Sequence, residues 1–127
     1  SGSVLDNCTV ANQAYGVSRQ CNDNTKTLLL RNCIITNRTA AFLDQGASSQ
    51  TIYMTNCCST TISGAGITAT DCVNTDPQFV NAAAGDYHLK KKSPLMDIGL
   101  NLPWMIGARD LGLGQVDPVR VNIANCL

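Results

Sequence analysis

Glutamate is missing from this chain. All nine acidic residues are Asp, nine Lys plus Arg balance them, and charged residues fill only 14% of the 127 positions. So thin and balanced a surface argues against nucleic acid as a partner, because that binding rests on clustered cations neutralising phosphates. Aromatic residues are scarce too, at 5%, with one Trp and one His. No apolar run approaches the roughly 18 residues of a membrane span. No CxxC pair occurs and the only imidazole is His88, so the spacing does not support a structural zinc site. No window carries the apolar periodicity of a helix. Ser1-Gly2-Ser3 reads as a cut point or an appended scar, so export is judged on other grounds.

What the chain does have is a phrase that returns. Leu5-Asp6-Asn7-Cys8-Thr9-Val10-Ala11-Asn12 comes back as Leu30-Arg31-Asn32-Cys33-Ile34-Ile35-Thr36-Asn37, and again in worn form as Met54-Thr55-Asn56-Cys57. The Asn-Cys pairs are 25 and then 24 residues apart, a period that marks stacked repeats. Inside the phrase Cys8 and Val10 alternate with Thr9 and Ala11, and Cys33 and Ile35 with Ile34 and Thr36, which is the two-residue period of a strand. Thr and Asn are abundant, and Gly, Asn and Asp punctuate the chain as tight corners require. A coil of about 24 residues with two or three short strands is one rung of a parallel β-helix, and neighbouring rungs pair at about 4.8 Å. The length allows one small all-β domain of about three to four rungs, near the minimum that buries a continuous core.

Seven cysteines stand at 8, 21, 33, 57, 58, 72 and 126. Cys8, Cys33 and Cys57 fall in one inward column, where a free cysteine packs as a small hydrophobe. Cys58 has the opposite phase and is expected to point outward. Cys21 lies in a polar stretch, and it and Cys58 could be bridged to each other or left as thiols. The disulfide states of Cys72 and Cys126 stay open as well. Asn7, Asn32 and Asn56, and separately Asn12 and Asn37, recur one rung apart, where side-chain amides can stack and satisfy corner backbone groups. Asn7-Cys8-Thr9 and Asn37-Arg38-Thr39 match the N-glycosylation pattern, but such matches arise readily in an Asn- and Thr-rich chain. After about residue 59 the pattern breaks. Asp71-Cys72 comes only 15 residues after Asn56-Cys57, too short for a full rung, and the segment beyond it is expected to be a cap. This gives rungs over 1–59, a last partial rung and cap over 60–99, and a tail over 100–127.

The run Asp76-Pro77-Gln78-Phe79-Val80-Asn81-Ala82-Ala83-Ala84-Gly85-Asp86-Tyr87-His88-Leu89, continued by Ser93-Pro94-Leu95-Met96-Asp97-Ile98-Gly99, resembles the C-terminal signature of secreted bacterial right-handed parallel β-helix proteins of the pectate-lyase-like superfamily. That phrase reads approximately DPxFVNxxxGDYHLxxxSPxIDxG. The resemblance implies a right-handed parallel β-helix, a secreted or cell-surface bacterial location and polysaccharide as a possible partner. It is specific for architecture and not for activity, since one fold hosts many functions. Phe79, Tyr87 and Leu89 supply apolar bulk for a cap, and Asp97 can accept backbone amides in a turn. The last 15 or so residues depart from the family's ending. Leu5 enters a full-strength repeat at once, so the chain is expected to be the C-terminal piece of a longer β-helix, its first rung covered by upstream rungs or by another copy.

Enzymes of this superfamily place a groove along one sheet, with clustered carboxylates that bind calcium or act as acid and base. Thr9, Ala11, Ile34, Thr36, Cys58 and Thr60, the outward positions of the repeated phrase, include no carboxylate pair, and paired acids need proximity. Asp71 with Asp76 is the candidate calcium site, against a reading of both as turn residues. Otherwise no cofactor is expected. His88 is the only imidazole that a Cys-His or Ser-His-Asp site could use, but it belongs to the architectural phrase. Lys90, Lys91 and Lys92 are either a solvated turn or an acidic-polysaccharide patch. Trp104 is either core cover or a sugar-stacking platform. Two functions are compatible with these residues: a structural or interaction segment of an exported β-helix, with carbohydrate contact; or the end of a polysaccharide lyase or glycoside hydrolase whose groove lies in other rungs.

Overall fold

The computed structural model describes residues 2–19, 25–37, 39–44, 50–100 and 102. Among the described residues nine short strands come first: β1 (Ser3–Asp6), β2 (Thr9–Ala11), β3 (Tyr15–Arg19), β4 (Thr27–Arg31), β5 (Ile34–Thr36), β6 (Ala40–Asp44), β7 (Thr51–Thr55), β8 (Cys58–Ser59) and β9 (Ile67–Thr70). They do not pair with their neighbours in sequence. One parallel sheet has the order β1-β4-β7-β9, a second β2-β5-β8, and a third pairs β3 with β6. Val4 lies on Leu29 and Leu29 on Tyr53, so the register equals the spacing of the repeated phrase. This is the expected short parallel β-helix.

The corners are made by residues that tolerate left-handed backbone. Asn7, Asn32 and Asn56 have φ of 55°, 53° and 50°, and each separates a strand of the first sheet from one of the second. Asn and Asp reach this region at lower cost than other side chains, because a short polar group can bond locally. The amides also stack, since Asn32 Nδ2 donates to Asn7 Oδ1 at 3.1 Å. Asn32 is completely buried. At the next corner Asn12 has φ 64°, and Asn37, one rung on, donates to Val10 O and accepts from Gln13 N. Both expected asparagine columns are therefore structural, although the second works through side-chain bonds to the rung below.

Alternation along each strand fills the interior. Leu28, Leu30, Cys33, Ile35, Ala41, Phe42, Ile52, Met54 and Cys57 form the core, with Leu5, Cys8, Val10, Val17, Ile67 and Cys72 half-buried against it. Cys8, Cys33 and Cys57 thus stack inward as expected. Each donates its thiol to the carbonyl two residues back: Asp6 O, Arg31 O and Thr55 O. Gly16 in β3 lies so close to the next rung that a Cβ there would fall 2.5 Å from Asn37 Nδ2 and 2.9 Å from Ala41 O. Arg19, at the end of β3, is buried and donates to Gln50 O and Ala65 O, tying two loops together.

Two expectations need refining. Cys58 keeps the outward phase, outside the core cluster, but it is covered there: it is 3% exposed and donates to Thr75 O, because residues 72–75 run alongside β8, with Ser59 N bonded to Val73 O. Ile34, on the same side, is also buried. Nor does the column stop at Cys57. β9 adds to β7 in register, Asp71 takes the left-handed corner at φ 52°, and Cys72 takes the cysteine place, donating to Thr70 O. The 15-residue interval is a rung with its third side omitted: a loop with turns at Gly64 and Gly66 leads from β8 straight back to the first sheet.

The chain divides into two compact units, Ser1–Thr75 and Asp76–Leu127. In the second, β10 (Phe79–Asn81) and β11 (Asp86–Leu89) form an antiparallel pair joined by a 3-10 turn over Ala82–Ala84. Asn81 caps that turn by accepting from Ala84 N, and Gly85 ends it at φ 80°. Phe79 and Tyr87 meet edge to face with centroids 5.2 Å apart. Ser93 is buried and donates to Pro77 O at 2.6 Å. Asp97 sits in a turn at φ 59°.

Candidate functional site

The outer face of the four-stranded sheet is the surface on which the fold assembles chemistry. Because side chains alternate, the inward Leu28 and Leu30 leave Thr27, Leu29 and Arg31 outward, and the inward Ile52 and Met54 leave Thr51, Tyr53 and Thr55 outward. Parallel in-register pairing then lines these up across strands. Val4, Leu29, Tyr53 and Thr68 make one row; Asp6, Arg31, Thr55 and Thr70 make the row beside it. Thr27 and Thr51 stand in register on the other side of the first row.

Tyr53 is the large aromatic of this face, 44% exposed, and Val4 in the same row is 55% exposed. Arg31 grips Asp6 with two hydrogen bonds, Nε to Oδ1 at 2.7 Å and an Nη2 to Oδ2 at 2.6 Å. That bidentate geometry is the strong form of a carboxylate–guanidinium pair. The hydrogen bonds to Asp6 hold the Arg31 guanidinium above its ordinary pKa. The face is an apolar strip with one aromatic plane, bordered by threonine hydroxyls and a charge-compensated ion pair.

Residues singled out from the sequence fall elsewhere. Asp71 is an exposed corner residue, and Asp76 accepts from Gln78 N at 2.9 Å in a turn of its own. They belong to different units. Among the described residues no group of three or more His, Cys, Asp or Glu is arranged to hold a metal. Lys90, Lys91 and Lys92 are exposed on the turn after β11, where Lys90 N bonds Gln78 O and Lys90 O accepts from Ser93 N. His88 is exposed and its Nδ1 lies 2.6 Å from Asp86 Oδ1. Hydrogen bonds from the His88 side chain and from its backbone N–H hold the Asp86 carboxyl below the usual carboxylate range. Trp104, Cys21 and Cys126 lie outside the described residues.

Tyr53 and the Asp6–Arg31 pair are not among the candidates read from the sequence. The repeated phrase draws the eye to the Asn-Cys corner and the strand after it, whereas this face lies on the strand before it. The signal was present in Thr51-Ile52-Tyr53-Met54-Thr55, a strict alternation with hydroxyl and aromatic residues on one phase.

The inward thiol column has its own electrostatics. Hydrogen bonds with Cys33 and Cys72, together with burial, hold the Cys57 thiol well above the ordinary thiol range. Its hydrogen bond lowers Cys72 to about 7.

A family model described as disaggregatase related matches residues 3–99, covering the described rungs and the β10–β11 hairpin. Neither the curated proteins nor the solved structures compared with the chain give a match. The match spans most of the chain, and its extent coincides with the parallel rungs and the hairpin after them: the chain belongs to the disaggregatase-related family.

Proposed function

We propose that this chain is a polysaccharide-contacting structural segment of an exported β-helix protein, with the outer face of the four-stranded sheet as its contact surface. The carrying observation is Tyr53, exposed at the centre of an apolar strip whose two borders carry hydroxyls. A sugar ring is amphipathic in the same way, with an apolar face of C–H groups and a polar rim. Such a ring stacked on Tyr53 buries apolar area, while Thr51, Thr55 and the outer lobes of the Asp6–Arg31 pair meet its hydroxyls. The spacing of strands, about 4.8 Å, is close to the length of one pyranose unit, so a chain laid along the row meets one rung per sugar. The same stacking logic makes the outer edges of β1, β2 and β3 the place where further rungs or a second copy would add.

The experiment is affinity electrophoresis of the purified protein through gels containing neutral or acidic polysaccharides, comparing wild type with Tyr53→Ala. Retardation by at least one polymer, weakened about tenfold by the substitution, a change worth roughly 1.4 kcal/mol, is the expected result. Binding that is indifferent to Tyr53 sinks this face as the contact surface.

The family description favours a second reading, since a disaggregatase takes aggregates apart. In that reading the segment belongs to an enzyme that cleaves the polymer it holds. On the face described here Asp6 is committed to Arg31, so the acid–base pair would have to come from elsewhere. Release of reducing or unsaturated ends by the purified chain would favour this reading over the first.

A further inference from the structure

The four-cysteine column is built in register. Thr55 lies on Thr70, Asn56 N bonds Thr70 O, Val73 N bonds Cys57 O, and Cys58 pairs with Val73, which sets Cys57 directly over Cys72 at the in-register corners of adjacent rungs. Adjacent strands are about 4.8 Å apart, inside the Cα separation of about 4.4–6.8 Å that a disulfide accepts. Both thiols are free, and each donates to a backbone carbonyl two residues back, Cys57 to Thr55 O and Cys72 to Thr70 O. Cys57 is fully buried, whereas Cys72 is only half-buried at the last rung, so an oxidant reaches the pair from the Cys72 side.

From this register we propose that Cys57 and Cys72 are a redox staple, a thiol pair that a hydroperoxide closes into a disulfide across the short final rung. The Cys72 thiolate attacks one peroxide oxygen and becomes a sulfenic acid, releasing hydroxide that is protonated to water. The Cys57 sulfur then attacks the Cys72 sulfur, its proton leaves with the displaced hydroxide as a second water, and the S–S bond forms. Two thiols and one hydrogen peroxide give one disulfide and two waters, so the electrons balance without another reactant. The neighbouring Cys57 side chain lowers Cys72 to about 7, which supplies the thiolate the first step needs. Cys33, buried on the other side of Cys57, is shielded from the same attack.

Among the described residues the third sheet ends at β6, so the interval from β8 to β9 has no third side, and the staple spans it. Among the described residues β9 ends its sheet with β7 as partner, and a covalent tie from its corner back to the rung below compensates for the missing strand. The inference is independent of any polysaccharide contact, since it concerns the interior of the cylinder.

The test is to treat the reduced full chain with hydrogen peroxide, block remaining thiols under denaturing conditions, and map links after cleavage before Asp71, which separates Cys57 from Cys72. The expected result is loss of two hydrogens, a linked pair of peptides, a higher melting temperature than the reduced chain, and reversal by dithiothreitol. Cys58→Ser should keep the link and Cys72→Ser should abolish both it and the melting shift. A link that persists in Cys72→Ser, or one that uses Cys58, Cys21 or Cys126, overturns the proposal. So does oxidation of Cys72 to sulfinic acid with Cys57 still free to alkylate.

Discussion

At the scale of the residue, one side chain concentrates the logic of the rung. Asn32 is buried, holds a left-handed backbone and donates to the amide of the rung beneath. Alanine there would meet the left-handed penalty of about 1–2 kcal/mol and lose a hydrogen bond worth about 1 kcal/mol. Asn32→Ala is therefore expected to lower stability by about 2–3 kcal/mol, read from urea unfolding midpoints. Glycine has no Cβ to clash at positive φ, so Asn32→Gly should recover about 1 kcal/mol of that loss. If the two variants are equally unstable, the corner is held by the amide ladder alone.

Cys57 gives a pH dependence with a definite sign. Its folded pKa lies above the value of about 8.5 for a free thiol, so the folded chain keeps a proton that the unfolded chain releases. The contribution is fully present below about pH 8.5 and is lost as pH rises toward the folded value, at up to about 1.4 kcal/mol per pH unit. Wild type should exceed Cys57→Ala in stability at pH 7, and the gap should narrow between pH 9 and pH 10.5. Unfolding midpoints measured across that range decide it, and a constant gap would show that the thiol titrates alike in both states.

At the scale of the element, position in the stack sets stability. β4, β5 and β7 each have a parallel neighbour on both sides, while β1, β2 and β3 have one. Amide exchange should be slowest in β4, β5 and β7 and faster by at least an order of magnitude in the first rung. Ile52→Ala, in the middle of the core, is expected to cost about 2–5 kcal/mol, and Leu5→Ala clearly less because Leu5 is only half-buried. Gly16→Ala should be more damaging than its size suggests, since the added methyl meets backbone at Ala41 O.

The same elements show what the sequence could reveal. The corner and the strand after it are legible because Asn-Cys and its alternation repeat at nearly constant spacing. β4 is not, since Leu28-Leu29-Leu30 is apolar on both phases and hides which face is out. The fourth cysteine is hidden for another reason: a rung that drops one side shortens its period from 24 to 15, and spacing arguments count residues, not sides. For Cys58, alternation gives a direction but says nothing of what covers the outside. Tyr53 needs the register of three strands before its neighbours are known.

At the scale of the whole molecule, the in-register corners make chain length come in steps. Residues 8–32 run from just after one left-handed Asn to the next, and both Asn7 and Asn32 are followed by Cys. A second copy of 8–32 placed directly after Asn32 would leave every corner followed by its cysteine and every strand facing its usual partner. Unequal crossing-over between the DNA copies of such a phrase would thus lengthen the cylinder without creating a misfit, whereas an insertion of half that length would put corner residues where the rung below has strands. The lengthened protein is expected to melt no lower than the parent in a thermal scan, and the half-length insertion to aggregate on expression. Lineages carrying this fold would then differ from one another by whole turns of the coil, with the dimensions of the contact surface changing in the same discrete steps.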